Sequence, residues 1–336
     1  MADLVSLGEL LIDFTPRGIS ENGNPLFERN PGGGPANLAC AAAKLGADTA
    51  FLGKVGDDVF GRALRDILHR NGVNVDGLRL SAEHPTTLAF VHLAEDGDRS
   101  FSFYRHGGAD TMLLPEELDK EAIRQARVFF FSSVLMAEGP SRETSFAAAK
   151  LAKEAGATVV FDPNLRLNLW GNPEDARKCI LCAIPYADVL KVSEEELVFL
   201  TGEDDPETGA RLLSEQFELD VVLATLGPRG CFAYARPQGT ARPRTGDGTR
   251  IRVGGFPAAT VDTTGAGDSF TGGFISRLLK RGGGSGIYAG DPEAFREDVR
   301  FANAVGSLTT TKKGGIPALP VLEEVEAYLS TLAGVE

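Results

Sequence analysis

Positive charge is in short supply in this sequence: 34 lysines and arginines stand against 47 aspartates and glutamates, a formal net charge of −13. That balance disfavours nonspecific binding to nucleic acid or to an anionic membrane, so neither is expected as a partner. An anionic ligand must therefore be held by local donors against the global field. Cysteine is scarce too. Cys40, Cys179, Cys182 and Cys231 are too few to staple 336 residues with a disulfide framework. Cys179 and Cys182 form one CxxC in a predicted helix, with no second pair and no neighbouring histidine, and read as reduced, buried structural residues. No apolar run approaches the ~20 residues needed to span a bilayer. Asp3 and Glu9 occupy the start of the chain where a secretory signal would be basic, so a cytoplasmic location is expected. The GxxxxGK(S/T), GxGxxG, HRD and DFG signatures are absent, so any phosphate must be held in another way.

What the sequence does contain is one conspicuous stretch, Val261-Asp-Thr-Thr-Gly-Ala-Gly-Asp-Ser-Phe-Thr-Gly-Gly-Phe274. Phe270, Phe274, Ile275, Leu278 and Leu279 then recur at helical spacing, so a loop enters a helix here. Gly265, Ala266 and Gly267 let backbone N–H groups converge at the positive end of the helix dipole, which suits an oxyanion. Asp268 beside them reads either as a proton acceptor for an incoming hydroxyl or as an ordinary helix cap.

Around this stretch the chain alternates strands and helices. Leu4–Ile12 reads as a first buried strand ending at Asp13, and Pro35–Leu45 as an alanine-rich helix. A strand over 49–53 and a helix over 57–71, capped by Asp57 or Asp58, follow. Residues 86–95 and 99–104 alternate with period two, and Asp96-Gly97 between them signals a hairpin. This pair breaks the strand–helix rhythm and, together with residues around 14–33, is assigned to a small protruding sheet formed by about 14–33 and 84–110. From Arg127 the rhythm is regular, with strands at 128–131, 158–161, 187–192 and 220–224 and helices near 141–155, 173–184 and 206–218. Runs apolar on both faces are what central parallel strands require. Residues 231–235 and 250–253 read as antiparallel edge strands around a solvated loop, 236–249. The expected fold class is α/β, a mostly parallel central sheet flanked by helices, with residues 1–336 forming a single domain that carries the small sheet.

Asp262-Thr-Thr-Gly-Ala-Gly-Asp268 resembles the DTxGAGD motif of the PfkB, or ribokinase-like, sugar kinases. Gly32-Gly-Gly-Pro-Ala-Asn-Leu-Ala39 resembles a second motif of that family, in the same order and at the family's spacing. The resemblance covers essentially the whole chain. It implies a lid over a sugar site, a catalytic Asp268, and a sugar held by Asp13, Gly33 and Asn37. Asp162-Pro-Asn-Leu-Arg166 resembles an element of fructokinases and ketodeoxygluconate kinases, and Phe103-Tyr-Arg105 a fructokinase segment. These add Asn164, Arg166 and Arg105 as sugar or phosphate contacts, with salt-bridge roles as the alternative for the arginines.

On the nucleotide side, Thr225-Leu-Gly-Pro-Arg-Gly230 resembles a segment in which threonine and glycines approach ATP phosphates, which implicates Thr225, Gly227 and Gly230. Phe301-Ala-Asn-Ala304 resembles the family's adenine-side helix, with Asn303 at the base-contacting position. Lys191 could reach a phosphate or simply snorkel from a strand end. Ser193-Glu-Glu-Glu196 fits a capping box. It also stands where the family's N-x-x-E motif organises Mg²⁺, with Glu196 matched as an outer-shell residue and Ser193 in place of the asparagine. Asp262 and Thr264, with the turn at Gly314-Gly315, fall where the family binds a monovalent cation such as K⁺. The resemblance thus implies ATP and Mg²⁺ as cofactors and phosphorylation of a primary hydroxyl of fructose. The alternatives are a ketodeoxygluconate kinase and a non-catalytic sugar sensor on the same fold. A homodimer through the exposed lid face is the one macromolecular partnership expected.

Overall fold

A computed structural model of the chain describes residues 2–93, 99–237 and 248–332. Fourteen strands are described: β1 (Leu4–Leu7), β2 (Leu11–Ile19), β3 (Pro25–Gly32), β4 (Thr49–Gly56), β5 (Val73–Asn74), β6 (Leu78–Ser81), β7 (Leu88–Leu93), β8 (Arg99–Tyr104), β9 (Val128–Ser132), β10 (Thr158–Asp162), β11 (Val189–Ser193), β12 (Val221–Thr225), β13 (Cys231–Ala235) and β14 (Thr249–Val253). The helices are α1 (Gly34–Lys44), α2 (Val59–Arg70), α3 (Lys120–Gln125), α4 (Ser141–Ala155), α5 (Pro173–Ala183), α6 (Glu194–Thr201), α7 (Pro206–Phe217), α8 (Ala266–Lys280), α9 (Pro292–Thr309) and α10 (Leu322–Leu332). Asp96-Gly97 and most of the 236–249 loop lie outside the described residues.

The main sheet runs β14-β13-β12-β11-β10-β9-β1-β4-β5, with β6 also paired to β4. It is parallel from β12 to β5, and β13 and β14 close one edge antiparallel. Its strands read as unbroken apolar runs because both faces are covered. Phe129, Phe131 and Phe161 face Ala148, Ala152 and Ile180 of α4 and α5. Val128, Phe130 and Val160 face Phe274 and Leu278 of α8 and Phe295 of α9. Phe131 stacks on Phe161 at 4.5 Å between centroids, and truncating such a core phenylalanine costs ~3–5 kcal/mol.

The lid is a separate four-stranded sheet, β3-β2-β7-β8. Phe14 and Phe90 stack at 4.9 Å on it, while Ile19, Leu26, Phe27 and Tyr104 remain exposed. One expectation fails here. Leu4–Ile12 is not one strand: β1 stops at Leu7 and the chain crosses to the lid before β2 begins. At the crossing Gly8 packs tightly against α1, since a Cβ on it would lie 2.0 Å from Pro35 Cγ. The apolar run hides the break because Leu4 and Leu7 are buried in the main sheet, whereas Leu10 and Ile12 are buried with Ala36, Ala39 and Phe51. Asp13 therefore belongs to the lid and not to the end of a central strand.

A second expectation also fails. Cys40 and Cys231 are buried, but Cys182 is exposed and Cys179 only half-buried, because α5 is an outer helix. All four are free thiols. Among the described residues no helix is long and apolar enough to cross a membrane.

The small-residue face of α1 does more than rest on the sheet. A Cβ on Gly272 of α8 would meet Ala41 Cβ and the Leu38 carbonyl at 2.9 Å, so α1 and α8 approach as closely as their backbones allow. That approach brings the first turns of the two helices side by side.

Candidate active site

At the head of α8, Gly265 takes φ +77° as the N-cap residue, a left-handed conformation that glycine adopts freely. A side chain there would also meet Gly315 Cα at 3.2 Å. Gly267, by contrast, lies inside the first helical turn and needs no positive φ. Its bareness serves another purpose, because a Cβ on it would stand 3.3 Å from Lys191 Nζ. The Ala266 N–H donates to Thr263 O at 3.2 Å across the same turn. Gly265, Gly267 and Asp268 line the cleft.

Asp268 makes no capping bond to its own helix. Its Oδ2 instead accepts from Asn37 Nδ2 of α1 at 2.9 Å, which sets the helix-cap reading aside. The Asn37 Oδ1 is buried and without a partner. Opposite, Lys191 at the end of β11 pairs with Asp162 at the end of β10, 3.0 Å apart and almost wholly buried. Burial alone would depress the lysine, but Asp162, Glu196 and Asp268 around it hold its pKa above the ordinary value, so it stays charged. Lys191 is thus a buried cation facing the Gly265–Gly267 turn, and not a strand-end side chain reaching for water.

The lid supplies the other wall. Burial raises Asp13 to about 7, opposed by the attraction of Arg166. Arg166 itself is exposed, while Asn164 sits at φ +45° with its amide nitrogen 2.2 Å from where a Cβ on Gly34 would lie. Gly33 (φ +115°) is a conformational requirement: a side chain would strike the Glu9 carbonyl at 2.3 Å. Arg105, just past β8, is buried, and its Nε donates to Asp110 Oδ2 at 2.8 Å.

On the far side, Ser193 and Glu196 form the expected capping box of α6, with Ser193 N–H to Glu196 Oε2 at 2.7 Å. The other Glu196 oxygen accepts the Leu165 N–H at 2.6 Å. Thr225 pairs in register with Ser193, placing the β12 end beside the cleft. Gly227 and Gly230 bracket a tight turn next to it, both at positive φ. Neither glycine lines the cleft, nor do Thr225 and Asn303. The buried Asn303 donates to the Val253 and Gly254 carbonyls at 3.3 and 3.2 Å, tying α9 to the end of β14. Asp262 binds two turns together, accepting from Thr264 N–H and Oγ1 and from Gly314 N–H at 2.8–2.9 Å. No group of three or more acidic, histidine or cysteine side chains among the described residues could hold a metal ion.

These walls enclose a cleft of about 790 Å³. It also contains residues that the sequence reading did not single out. Glu9, 3% exposed, accepts the Gly34 N–H at 2.8 Å and is raised to about 7 by burial. Its signal was available as a lone carboxylate in the middle of an apolar run. Behind the cleft wall stand Asp162, which opens the 162–166 element, and Asp110; the sequence did not reveal their pairing, because their partners lie on other elements.

The model of the pfkB family carbohydrate kinases matches residues 1–322. The chain is 43% identical over 332 residues to "Probable fructokinase-7" of Arabidopsis thaliana, covering 98% of this chain and 92% of that protein. Its fold superposes on the crystal structure of a fructokinase with bound ATP from Xylella fastidiosa with a TM-score of 0.88, at 32% identity and 99% and 100% coverage. A double mutant of the fructokinase from Vibrio cholerae O395, in its fructose-, ADP- and potassium-bound form, gives a TM-score of 0.83 at 34% identity, with 98% of each chain covered. The chain belongs to the pfkB family of carbohydrate kinases.

Proposed function

We propose that this protein transfers the γ-phosphoryl group of ATP to the primary hydroxyl of fructose, giving fructose 6-phosphate and ADP. The observation that carries the chemistry is Asp268, free of any capping duty and oriented by Asn37 at the head of α8. A carboxylate so placed accepts the proton of an attacking hydroxyl as the new bond to phosphorus forms. The first-turn amides of α8, with Gly265 and Gly267 bare, stabilise the charge on the transferred group, and Lys191 adds a buried cation beside them.

The sugar side is assigned to Asp13, Asn37, Asn164, Arg105 and Arg166. The unpartnered Asn37 Oδ1 fits a hydroxyl donor. The nucleotide side is assigned to the carboxyl ends of β11 and β12, with Thr225, Gly227 and Gly230 near the phosphates and Asn303 holding the floor of the base site. Glu196 is the residue that would organise Mg²⁺, which would supply neutralisation of the phosphate charge when bound with ATP. Both Glu196 oxygens already accept backbone N–H groups, which fits an outer-shell role better than direct ligation. Asp262, Thr264 and the Gly314 turn are assigned to a K⁺ site, tested by activity in potassium against sodium buffers.

Coupled ADP release with fructose, ribose and 2-keto-3-deoxygluconate, side by side, tests the reading. Fructose is expected to give the highest kcat/KM. A preference for ketodeoxygluconate would move the assignment to that kinase, and no turnover of any sugar would leave a sensor.

A further inference from the structure

Arg105 is the one guanidinium buried in the wall of the cleft, 4% exposed, yet it does not present itself as a clamp. Its Nε donates to Asp110 Oδ2 at 2.8 Å and its Nη2 to the Val134 carbonyl at 2.9 Å. A carboxylate is gripped best through two neighbouring N–H groups of the fork, and Asp110 takes the Nε side of it while Val134 takes one N–H of Nη2. Only Nη1 is left without a partner.

Asp110 is 1% exposed and does not itself line the cleft. Its second oxygen is held by the Thr87 hydroxyl, and its backbone carbonyl accepts from Ser141 Oγ at 2.6 Å. The arrangement needs Gly108, where a Cβ would lie 2.2 Å from Thr87 Oγ1. Asp110 is therefore fixed behind Arg105 by lid and body together. Its charge reaches the cleft: at the Glu9 carboxyl, Arg105 and Asp110 act in opposite senses. Arg166, the other arginine of the cleft, is exposed to screening solvent.

We propose that Asp110 is a specificity-determining residue that never touches the sugar: by neutralising Arg105 and taking the Nε side of its fork, it weakens a carboxylate clamp into a hydrogen-bond donor suited to an uncharged hydroxyl. The cleft then favours a neutral ketohexose over a sugar acid of the same length. The inference rests on the assignment of the cleft to fructose. Asp110 is a positioning residue, so its loss should change the order of substrates as well as the rate.

The test compares kcat/KM for ketodeoxygluconate and for fructose in the wild type and in Asp110→Asn. The ratio of acid to fructose is expected to rise by at least ~10-fold, the lower end of what a hydrogen bond to a charged group contributes. Adding Arg105→Met to Asp110→Asn should abolish the rise. General loosening of the lid would lower both substrates alike and leave the ratio unmoved. A second measurement needs no variant: gluconate and glucitol, a sugar acid and its neutral counterpart, are compared as competitors of fructose on the wild type. Gluconate is expected to inhibit no better than glucitol; inhibition tighter by ~10-fold or more would show an unneutralised Arg105 and overturn the proposal. A wild type that uses fructose, with an unmoved ratio in folded Asp110→Asn, overturns this inference alone. A wild type that prefers ketodeoxygluconate overturns the fructose assignment and this inference with it.

Discussion

Asn37 and Asp268, 231 positions apart in sequence, meet at 2.9 Å where the first turns of α1 and α8 lie side by side. The contact depends on two sequence features that look unrelated: the alanine-rich face of α1, and Gly272, which lets α8 come close enough. Through it the carboxylate proposed as proton acceptor is aimed by one helix while it stands at the head of another.

Asp268→Asn should therefore keep the fold and the binding of sugar and nucleotide, and lower kcat by roughly 10²–10⁴-fold, the usual worth of a positioned acid or base. Single-turnover kinetics alongside fructose binding by calorimetry check this. Retention of more than about a tenth of the turnover would return Asp268 to a passive role.

The two glycines of the turn should fail differently. Gly265→Ala forces an L side chain into the left-handed region and should cost ~1–2 kcal/mol of stability, read as a lower Tm. Gly267 is already helical, so valine there should fold with little loss. Its side chain, however, points at Lys191 Nζ from a Cβ only 3.3 Å away and covers the amides of the turn. Turnover of Gly267→Val should be abolished in folded protein, and normal kinetics would remove the anion site from the mechanism.

Much of the fold was legible because its strands are buried on both faces and its helices are punctuated by caps such as Asp58 and Ser193. Of the lid strands, β7 and β8 were legible from period-two alternation, whereas β2 and β3 lie in a span rich in glycine and proline. The Gly8 crossing was not legible, because leucines line the chain on both sides of it and Pro35, against which Gly8 packs, lies 27 residues on. In the site, Asp268, Asn37 and Glu196 stood out by motif, whereas the pairing of Asp162 with Lys191 and of Asp110 with Arg105 was not legible. Periodicity reports which face a residue takes. It carries no information about which buried charge that residue will meet.

The exposure of α5 separates the four thiols chemically. Cys182 is exposed, while burial raises the pKa of half-buried Cys179, pushes Cys40 up to about 12 and raises Cys231 further. A nitrobenzoate disulfide reagent at pH near 8 should therefore label Cys182 first and Cys179 more slowly, with Cys40 and Cys231 reacting only on unfolding. Peptide mapping of the labelled protein reads the order. Early labelling of Cys231 would contradict the packing of β13.

Glu9 should leave a signature in the pH dependence of stability. Burial lifts its carboxyl from 4.5 to about 7, even though its own N–H, the Gly34 N–H and Arg105 all favour the ionised form. A carboxyl whose pKa is higher in the folded than in the unfolded chain binds its proton more tightly in the native state. Its contribution to stability is complete below the unfolded value and is lost as pH rises through the folded one. At 1.36 kcal/mol per pKa unit the loss amounts to about 3 kcal/mol across that window. Glu9→Gln keeps an acceptor for Gly34 but has no charge to bury. Its unfolding free energy relative to wild type should therefore rise between about pH 4 and pH 8, by an amount approaching that loss. Asp13, raised in the same direction, is present in both proteins and cancels. Urea melts at the two pH values decide it: parallel curves for variant and wild type would mean that Glu9 is already ionised in the native cleft near pH 5, and that the Gly34 amide and Arg105 outweigh its burial.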